Sequence, residues 1–352
     1  MLDGKAVHSL MHSEPPPRLG ASLREVGPGP GDDDSWKKIH ALALRQLNRF
    51  MSCEAKVLKG KDPEAIHDMR VASRRLQQLL DLIYPKPRPQ GLRRLRRQIR
   101  RCRGVLGEVR NCDVLLERVE QTLGRKRLAR REAWTAVQQY LLVRRSEGYT
   151  RALRKLGKIN PAVLYVNLKE LLTRDKSQAH PDGHHHHAAQ PERPAFSGSL
   201  THSLESVWKA FEEQVSLSHS DARPAVIHAA RIATKRLRYL LEVLHEFKVA
   251  GSSEALAWLR ELQQHLGDWH DLQVLEQMMI EMLARPEFLQ EHLGLAIETA
   301  KLVLNIRKTR SEFEARYIQM SRESAEIRRL KEWVPYLTES PSATLAKISA
   351  AG

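Results

Sequence analysis

Ile66-His67-Asp68-Met69-Arg70-Val71-Ala72-Ser73-Arg74-Arg75-Leu76-Gln77-Gln78-Leu79-Leu80 is met again 161 positions later, as Ile227-His228-Ala229-Ala230-Arg231-Ile232-Ala233-Thr234-Lys235-Arg236-Leu237-Arg238-Tyr239-Leu240-Leu241. Eight of the fifteen positions are identical, where average composition would give about one. The prolines ahead of the two stretches, Pro63 and Pro224, share that offset. Each falls where a helix opens and a missing N–H costs nothing. At 100° per residue Ile66, Met69, Ser73, Leu76, Leu80 and Ile83 share one arc, the seam of a helix in a bundle. In the second stretch the seam is Ile227, Ala230, Leu237 and Leu241.

A second match lies further along each copy. Leu106-Gly107-Glu108-Val109-Arg110-Asn111-Cys112-Asp113-Val114-Leu115 meets Leu266-Gly267-Asp268-Trp269-His270-Asp271-Leu272-Gln273-Val274-Leu275 at an offset of 160. The chain therefore reads as an internal duplication. Its 352 residues suffice for about two domains. The proline-free runs 90–160, 225–285 and 287–334 are rich in Leu, Arg, Glu, Ala and Gln, all strong helix formers. Strand-like alternation of β-branched residues is missing. An all-α protein follows, with helices expected near 36–58, 63–83, 91–123, 126–157, 198–218, 224–247, 252–283 and 287–320.

Residues 1–35 hold Pro15-Pro16-Pro17, Gly27-Pro28-Gly29-Pro30-Gly31 and Asp32-Asp33-Asp34, the composition of a disordered polar tail without a signal-peptide core. Residues 174–199 carry Pro181, Gly183, the run His184-His185-His186-His187, Pro191 and Pro194, and read as a linker. The expected organisation is a first helical half over 36–173, a second over 200–335, and a C-terminal tail over 336–352.

Lys and Arg number 58 against 42 Asp and Glu, a net charge of +16. That balance calls for a polyanionic partner. Aromatics make up only 5% of the chain, too few for rows of rings stacking on unpaired bases. No stretch nears the roughly 20 apolar residues of a membrane span. The cysteines Cys53, Cys102 and Cys112 have no CxxC pairing and are odd in number, so neither a disulfide framework nor a structural zinc site is expected and a reducing cytoplasm fits.

The cations are arranged in stripes. His67, Arg70 and Arg74 fall within an arc of about 60° beside the seam, and His228, Arg231 and Lys235 repeat the pattern, joined by Arg238. Lys38, Arg45, Arg49 and Lys56 align within about 40° on the first helix. From Lys86 to Arg110 there are ten basic residues and one acid, Glu108, with Arg93, Arg97 and Arg100 turned away from the apolar seam. So many like charges on one helix repel unless anions neutralise them. The matching stretch of the second half, 251–277, is rich in acids, so the first half is expected to supply more binding charge. Arginine prevails over lysine in these stripes, and its planar fork suits phosphate oxygens.

Catalytic signatures are missing. There is no phosphate loop ending in Gly-Lys-Ser/Thr, no HExxH, no GxSxG and no cluster of metal-binding acids. Consecutive histidines at 184–187 do not fix a tetrahedral metal site. Asp113 and Asp271 lie beside leucine seams with arginines near, where structural ion pairing is the common use. No cofactor, metal or catalytic residue is expected.

Asp62-Pro63-Glu64-Ala65-Ile66-His67-Asp68-Met69-Arg70-Val71-Ala72-Ser73-Arg74-Arg75-Leu76, together with Leu106-Gly107 and Arg110-Asn111-Cys112-Asp113-Val114, resembles the CHAD family, the conserved histidine α-helical domains. The likeness spans roughly 36–335. It implies two four-helix bundles related by a pseudo-twofold axis, a basic surface across them, and non-catalytic binding of inorganic polyphosphate. Carried over by position, the site is His67, Arg70, Arg74 and Arg75, and His228, Arg231, Lys235 and Arg236. Where the family usually has Arg-Asp-x-Asp-Val, this chain has Asn111 and, in the second copy, Gln273 in place of an acid. The ExExK motif of the triphosphatase domain fused to some members is missing. The expected protein is a cytoplasmic polyphosphate binder delivered to polyphosphate granules. A sequence-independent nucleic-acid binder is the second reading and a polyphosphate phosphohydrolase the third.

Overall fold

The computed structural model describes residues 32–85, 88, 90–174 and 195–339. Among the described residues every regular element is a helix: α1 (Asp32–Ser52), α2 (Glu54–Lys59), α3 (Pro63–Ile83), α4 (Gln90–Val105), α5 (Gly107–Leu123), α6 (Arg131–Ile159), α7 (Pro161–Arg174), α8 (Phe196–Ser220), α9 (Pro224–Glu246), α10 (Ser252–Leu283), α11 (Pro286–Glu291), α12 (Leu293–Glu323) and α13 (Ala325–Glu339). The protein is all-α, as its patterning requires. None of these helices is long and apolar enough to cross a membrane.

Helix boundaries follow local chemistry. Asp62 caps α3, its Oδ1 accepting from the backbone N–H of Glu64 at 3.0 Å and of Ala65 at 3.2 Å, with Pro63 in the first turn. Asn160 ends α6 in the left-handed region, and Pro161 then restarts the chain as α7. Gly251 opens α10 at φ 81°, and the Trp333 ring lies so close that a β-carbon there would stand 2.7 Å from it. Trp333 Nε1 donates to the Ala250 carbonyl at 3.1 Å, which ties α13 to that corner.

Several boundaries differ from the sequence expectation. Helix α1 starts at Asp32, inside the expected tail, because acidic residues suit the positive end of a helix. Helix α8 starts at Phe196, inside the expected linker, because Phe196 is fully buried among core residues. Helix α13 continues through 336–339 of the expected C-terminal tail, with Leu337 buried. Helices α7 and α13 themselves lie beyond the expected eight. They bury Leu164, Leu168 and Leu172, and Ile327, Leu330, Val334 and Leu337, at helical spacing. The expected helix 91–123 is interrupted at Leu106, whereas its counterpart α10 runs unbroken for 32 residues. The tail before residue 32 and His184–His187 lie outside the described residues.

Within the first half α1 packs on α3 and α7, and α5 on α6. In the second, α9 packs on α8 and α10, and α12 on α10. The halves meet where α3 touches α9, α1 touches α8, α5 touches α10 and α6 touches α12. The buried apolar side chains form two clusters, and both draw on both halves. The larger joins α1, α3, α4 and α7 to α8, α9, α10 and α13. The smaller is enclosed by α5 and α6 from the first half and α10 and α12 from the second, with Leu115, Leu141, Leu275, Met279 and Val303 inside.

Candidate anion-binding site

The two matching stretches around His67 and His228 fold as α3 and α9, which pack on each other across the junction of the halves. Their cationic stripes face one another there. Arg70 feels the positive charges of Arg74, Arg103 and Arg110 from its own half and of Arg231 from the other. Burial, aggravated by those neighbours, pulls its guanidinium down to about 9. Arg103 falls to about 10 from burial, with Arg74, Arg100 and Arg236 adding to the effect. Arg231 also falls to about 10, chiefly through burial, although Asp271 opposes the shift. For Lys235, burial and the charges of Arg231, Arg74 and Arg70 bring the ammonium from 10.5 to about 6.

The histidines belong to the same cluster. Burial lowers His67, with Arg110 next in effect, and burial lowers His228, with Arg231 and Lys235 next. The His228 ring lies 5.3 Å from that of His270, which burial and Arg231 hold at about 3. Both His228 and His270 are therefore neutral near pH 7. Arg231 Nε and His270 Nδ1 are buried without a hydrogen-bond partner, and Arg74, Lys235 and Arg236 form no hydrogen bond or ion pair among the described residues. Asp271 is a carboxylate that acts on Arg231 and Lys235, and burial raises its pKa against the pull of Arg231 and Arg118; Glu64 pairs with Arg110 at 3.3 Å. A surplus of part-buried cations with so little counter-charge is costly, and an anion would relieve it.

Other expected site residues are engaged elsewhere. Arg75 donates from Nε and Nη2 to the two Glu242 carboxylate oxygens at 2.9 and 3.1 Å, across the junction of the halves. Arg238 Nη1 reaches the same carboxylate at 2.5 Å. Glu242 thus clamps both arginines, and they are braces of the interface. Arg49 pairs with Asp68 at 3.0 Å, Lys56 with Asp62 at 3.5 Å and Arg45 with Glu246 at 3.7 Å. Lys38 donates to the Glu246 carbonyl at 2.6 Å and lies over the Phe247 ring. Arg93, Arg97 and Arg100 stand exposed along α4, with no ion pair among the described residues. That helix leads to the cluster, because Arg100 acts electrostatically on Arg103.

Sequence reasoning counted Arg103 and Arg110 only as part of an arginine-rich run and passed over His270. The offset of 160 contained the signal, since it lays Arg110 on His270. The expected structural use of Asp113 is observed: Arg145 Nε donates to its Oδ1 at 2.5 Å. All three cysteines are free and buried, and burial pushes Cys102 up to about 12 and Cys112 up to about 11, far from a reactive thiolate.

The comparisons with known proteins agree with this architecture. The crystal structure of the CHAD domain from the plant Ricinus communis is similar with a TM-score of 0.57 at 23% identity, covering 88% of this chain and 96% of that one. PptA from Streptomyces chartreusis is similar with a TM-score of 0.51 at 15% identity, covering 82% of this chain and 99% of that one. At such identities the likeness concerns the fold. No curated protein matches the chain. The family model of the CHAD domain matches residues 41–279, which include α3, α9 and most of α10, and the chain belongs to the CHAD family.

Proposed function

We propose that this chain binds inorganic polyphosphate, without turning it over, at the cationic cluster between α3 and α9, with the exposed arginines of α4 extending the surface. One observation carries the reading: Arg70, Arg74, Arg103, Arg231 and Lys235 converge from both halves with almost no carboxylate to neutralise them. A polyphosphate chain supplies many closely spaced negative oxygens on a flexible backbone. It can bend into a junction fed by several helices, whereas a duplex presents one stiff side. Guanidinium groups provide forked donors to those oxygens, and the neutral histidines can each donate one hydrogen bond. A chain held in this way would also retain the protein at polyphosphate granules in the cytoplasm.

The reading is tested by competition. Long-chain polyphosphate is expected to displace the protein from labelled duplex DNA of equal phosphate content at physiological salt, and no orthophosphate is expected to be released with or without Mg²⁺. Equal or better competition by DNA would favour the nucleic-acid reading. Phosphate release that disappears in Asp271→Asn would establish a phosphohydrolase.

A further inference from the structure

A cleft of about 750 Å³ lies in the second half, walled by α8, the end of α12 and α13. Its volume suits a small molecule. Phe211 and Val215 of α8 and Ile327 of α13 give it a buried apolar lining, and none of its residues belongs to the cationic cluster. Between α12 and α13 the chain turns at Ser324, whose backbone is extended and whose Oγ accepts from the Ile327 N–H at 3.2 Å. This corner brings Arg322 of α12 and Lys331 of α13 into one cleft with His219 of α8, and both cations act on the His219 ring.

Ser321 fixes which nitrogen of that ring is the donor. Its Oγ gives its only proton to the Tyr317 carbonyl at 2.8 Å and lies 2.8 Å from His219 Nε2. Nε2 must therefore donate, and the neutral ring carries its lone pair on Nδ1. Burial, then Arg322 and Lys331, hold the imidazole below its usual range, in agreement with a neutral ring near pH 7. No described residue hydrogen-bonds to Nδ1. Arg322 and Lys331 form no ion pair or hydrogen bond among the described residues, and neither do Glu212 and Glu213 of α8, which line the same cleft. Opposite charges thus share the cleft without meeting.

We propose that this cleft binds a phosphate monoester with an amino-bearing tail, its phosphate held by Arg322, Lys331 and His219 Nδ1 and its ammonium by Glu212 or Glu213. A group at this corner must bring negative charge to two cations and a proton to Nδ1. A phosphate monoester brings both, since its second ionisation lies at about pH 6. A carboxylate near neutral pH brings charge without a proton, as does a phosphate diester or an interior unit of a polyphosphate chain. The two glutamates also repel a long polyanion. The cleft is therefore a second site, whatever the α3 and α9 cluster holds.

The test follows the histidine ring resonances of the full chain by NMR during titration with phosphoethanolamine. The His219 signals are expected to shift, and dimethyl phosphate should act at least about tenfold more weakly, for want of the proton and the ammonium. Arg322→Ser with Lys331→Ser, both at exposed positions, should weaken phosphoethanolamine binding about tenfold without loosening the fold. Glu212→Gln with Glu213→Gln should weaken phosphoethanolamine binding while sparing methyl phosphate. An unmoved His219 signal, equal action by dimethyl phosphate, or indifference to both double variants would overturn the proposal. So would displacement of phosphoethanolamine from His219 by long-chain polyphosphate, which would hand the cleft to the polyanion. Binding of phosphoethanolamine here by a protein that ignores polyphosphate would sustain this site and sink the reading above, so the two fail separately.

Discussion

The two halves make one hydrogen bond with its donor and acceptor exchanged. In the first, Arg103 of α4 donates to Gln77 of α3 at 3.0 Å. In the second, Arg238 of α9 donates to Gln263 of α10 at 2.6 Å. The offsets of 161 and 160 place Gln77 on Arg238 and Arg103 on Gln263. The same helix pair is tied each time, but the guanidinium hangs from a different helix. In the first half it sits on α4 and joins the cationic cluster. In the second it is shared with Glu242 and serves the interface. Matching positions therefore preserve packing without preserving charge: one guanidinium joins the cationic cluster and the other the junction of the halves.

Removing the clamp is the severest way to break that division. Glu242→Ala leaves the Arg75 and Arg238 guanidiniums part-buried without a counter-charge, and should cost about 3 kcal/mol in urea unfolding, in line with other broken buried pairs. Asp81 stands at the matching position, 161 residues earlier, and pairs with Arg88 and Arg96 within its own half. Its side chain is 32% exposed against 18% for Glu242, so Asp81→Ala should cost less. A reversed order would show that Glu242 is not what joins the halves.

The next effect separates Arg74 from Lys235, which stands at the matching position 161 residues later. Arg74→Ala should weaken polyphosphate binding about tenfold, or about 1.4 kcal/mol. Lys235→Ala should cost less near neutral pH and approach the Arg74→Ala loss below about pH 6, where the lysine is charged. Arg74→Ala should also raise the melting temperature, since it relieves repulsion among part-buried cations. Titrations at two pH values and a thermal melt read out these effects.

Smaller still is the contribution of the exposed arginine face. Replacing Arg93, Arg97 and Arg100 together by alanine should weaken binding about threefold and make the slope of log affinity against log salt shallower by about two, by analogy with counterion release from nucleic acids. An unchanged slope would mark α4 as a solvated face. The finest contrast uses the matching glycines. Gly267→Ala meets nothing within 4 Å and should stabilise α10 by about 0.5–1 kcal/mol. Gly107→Ala would bring a β-carbon to 3.3 Å from Arg70 Nη1 and should gain less in the same unfolding assay.

Most of the helical fold was legible because proline placement and apolar periodicity are local properties. Helices α3, α9 and α10 follow them closely. The interruption at Leu106 was not legible, since both copies carry the same Leu-Gly pair. Its cause is tertiary: Arg70 Nη1 donates to the Arg103 carbonyl, the group an unbroken helix would offer to the Gly107 N–H. The stripes of His67, Arg70 and Arg74 and of His228, Arg231 and Lys235 were legible as periodic charge. Their meeting was not, because a stripe states which residues share a face and leaves open what that face meets. Arg75 and Arg238 looked equivalent to their neighbours until Glu242 was seen between them.

At the other end of the α1 and α8 contact, Trp36 meets Phe196 edge to face at 5.2 Å, and Phe196 meets Phe247 at 4.9 Å. With both apolar clusters drawn from both halves, neither half owns an interior it could keep by itself. Damage to one half cannot be quarantined from the other, and cooperative loss of the whole is the natural failure mode of such an arrangement. For a surface assembled from stripes that lie far apart in the chain, this has a practical meaning. The cations of α3 and α9 are gathered only when both halves are folded, and a half-folded molecule does not assemble the cluster.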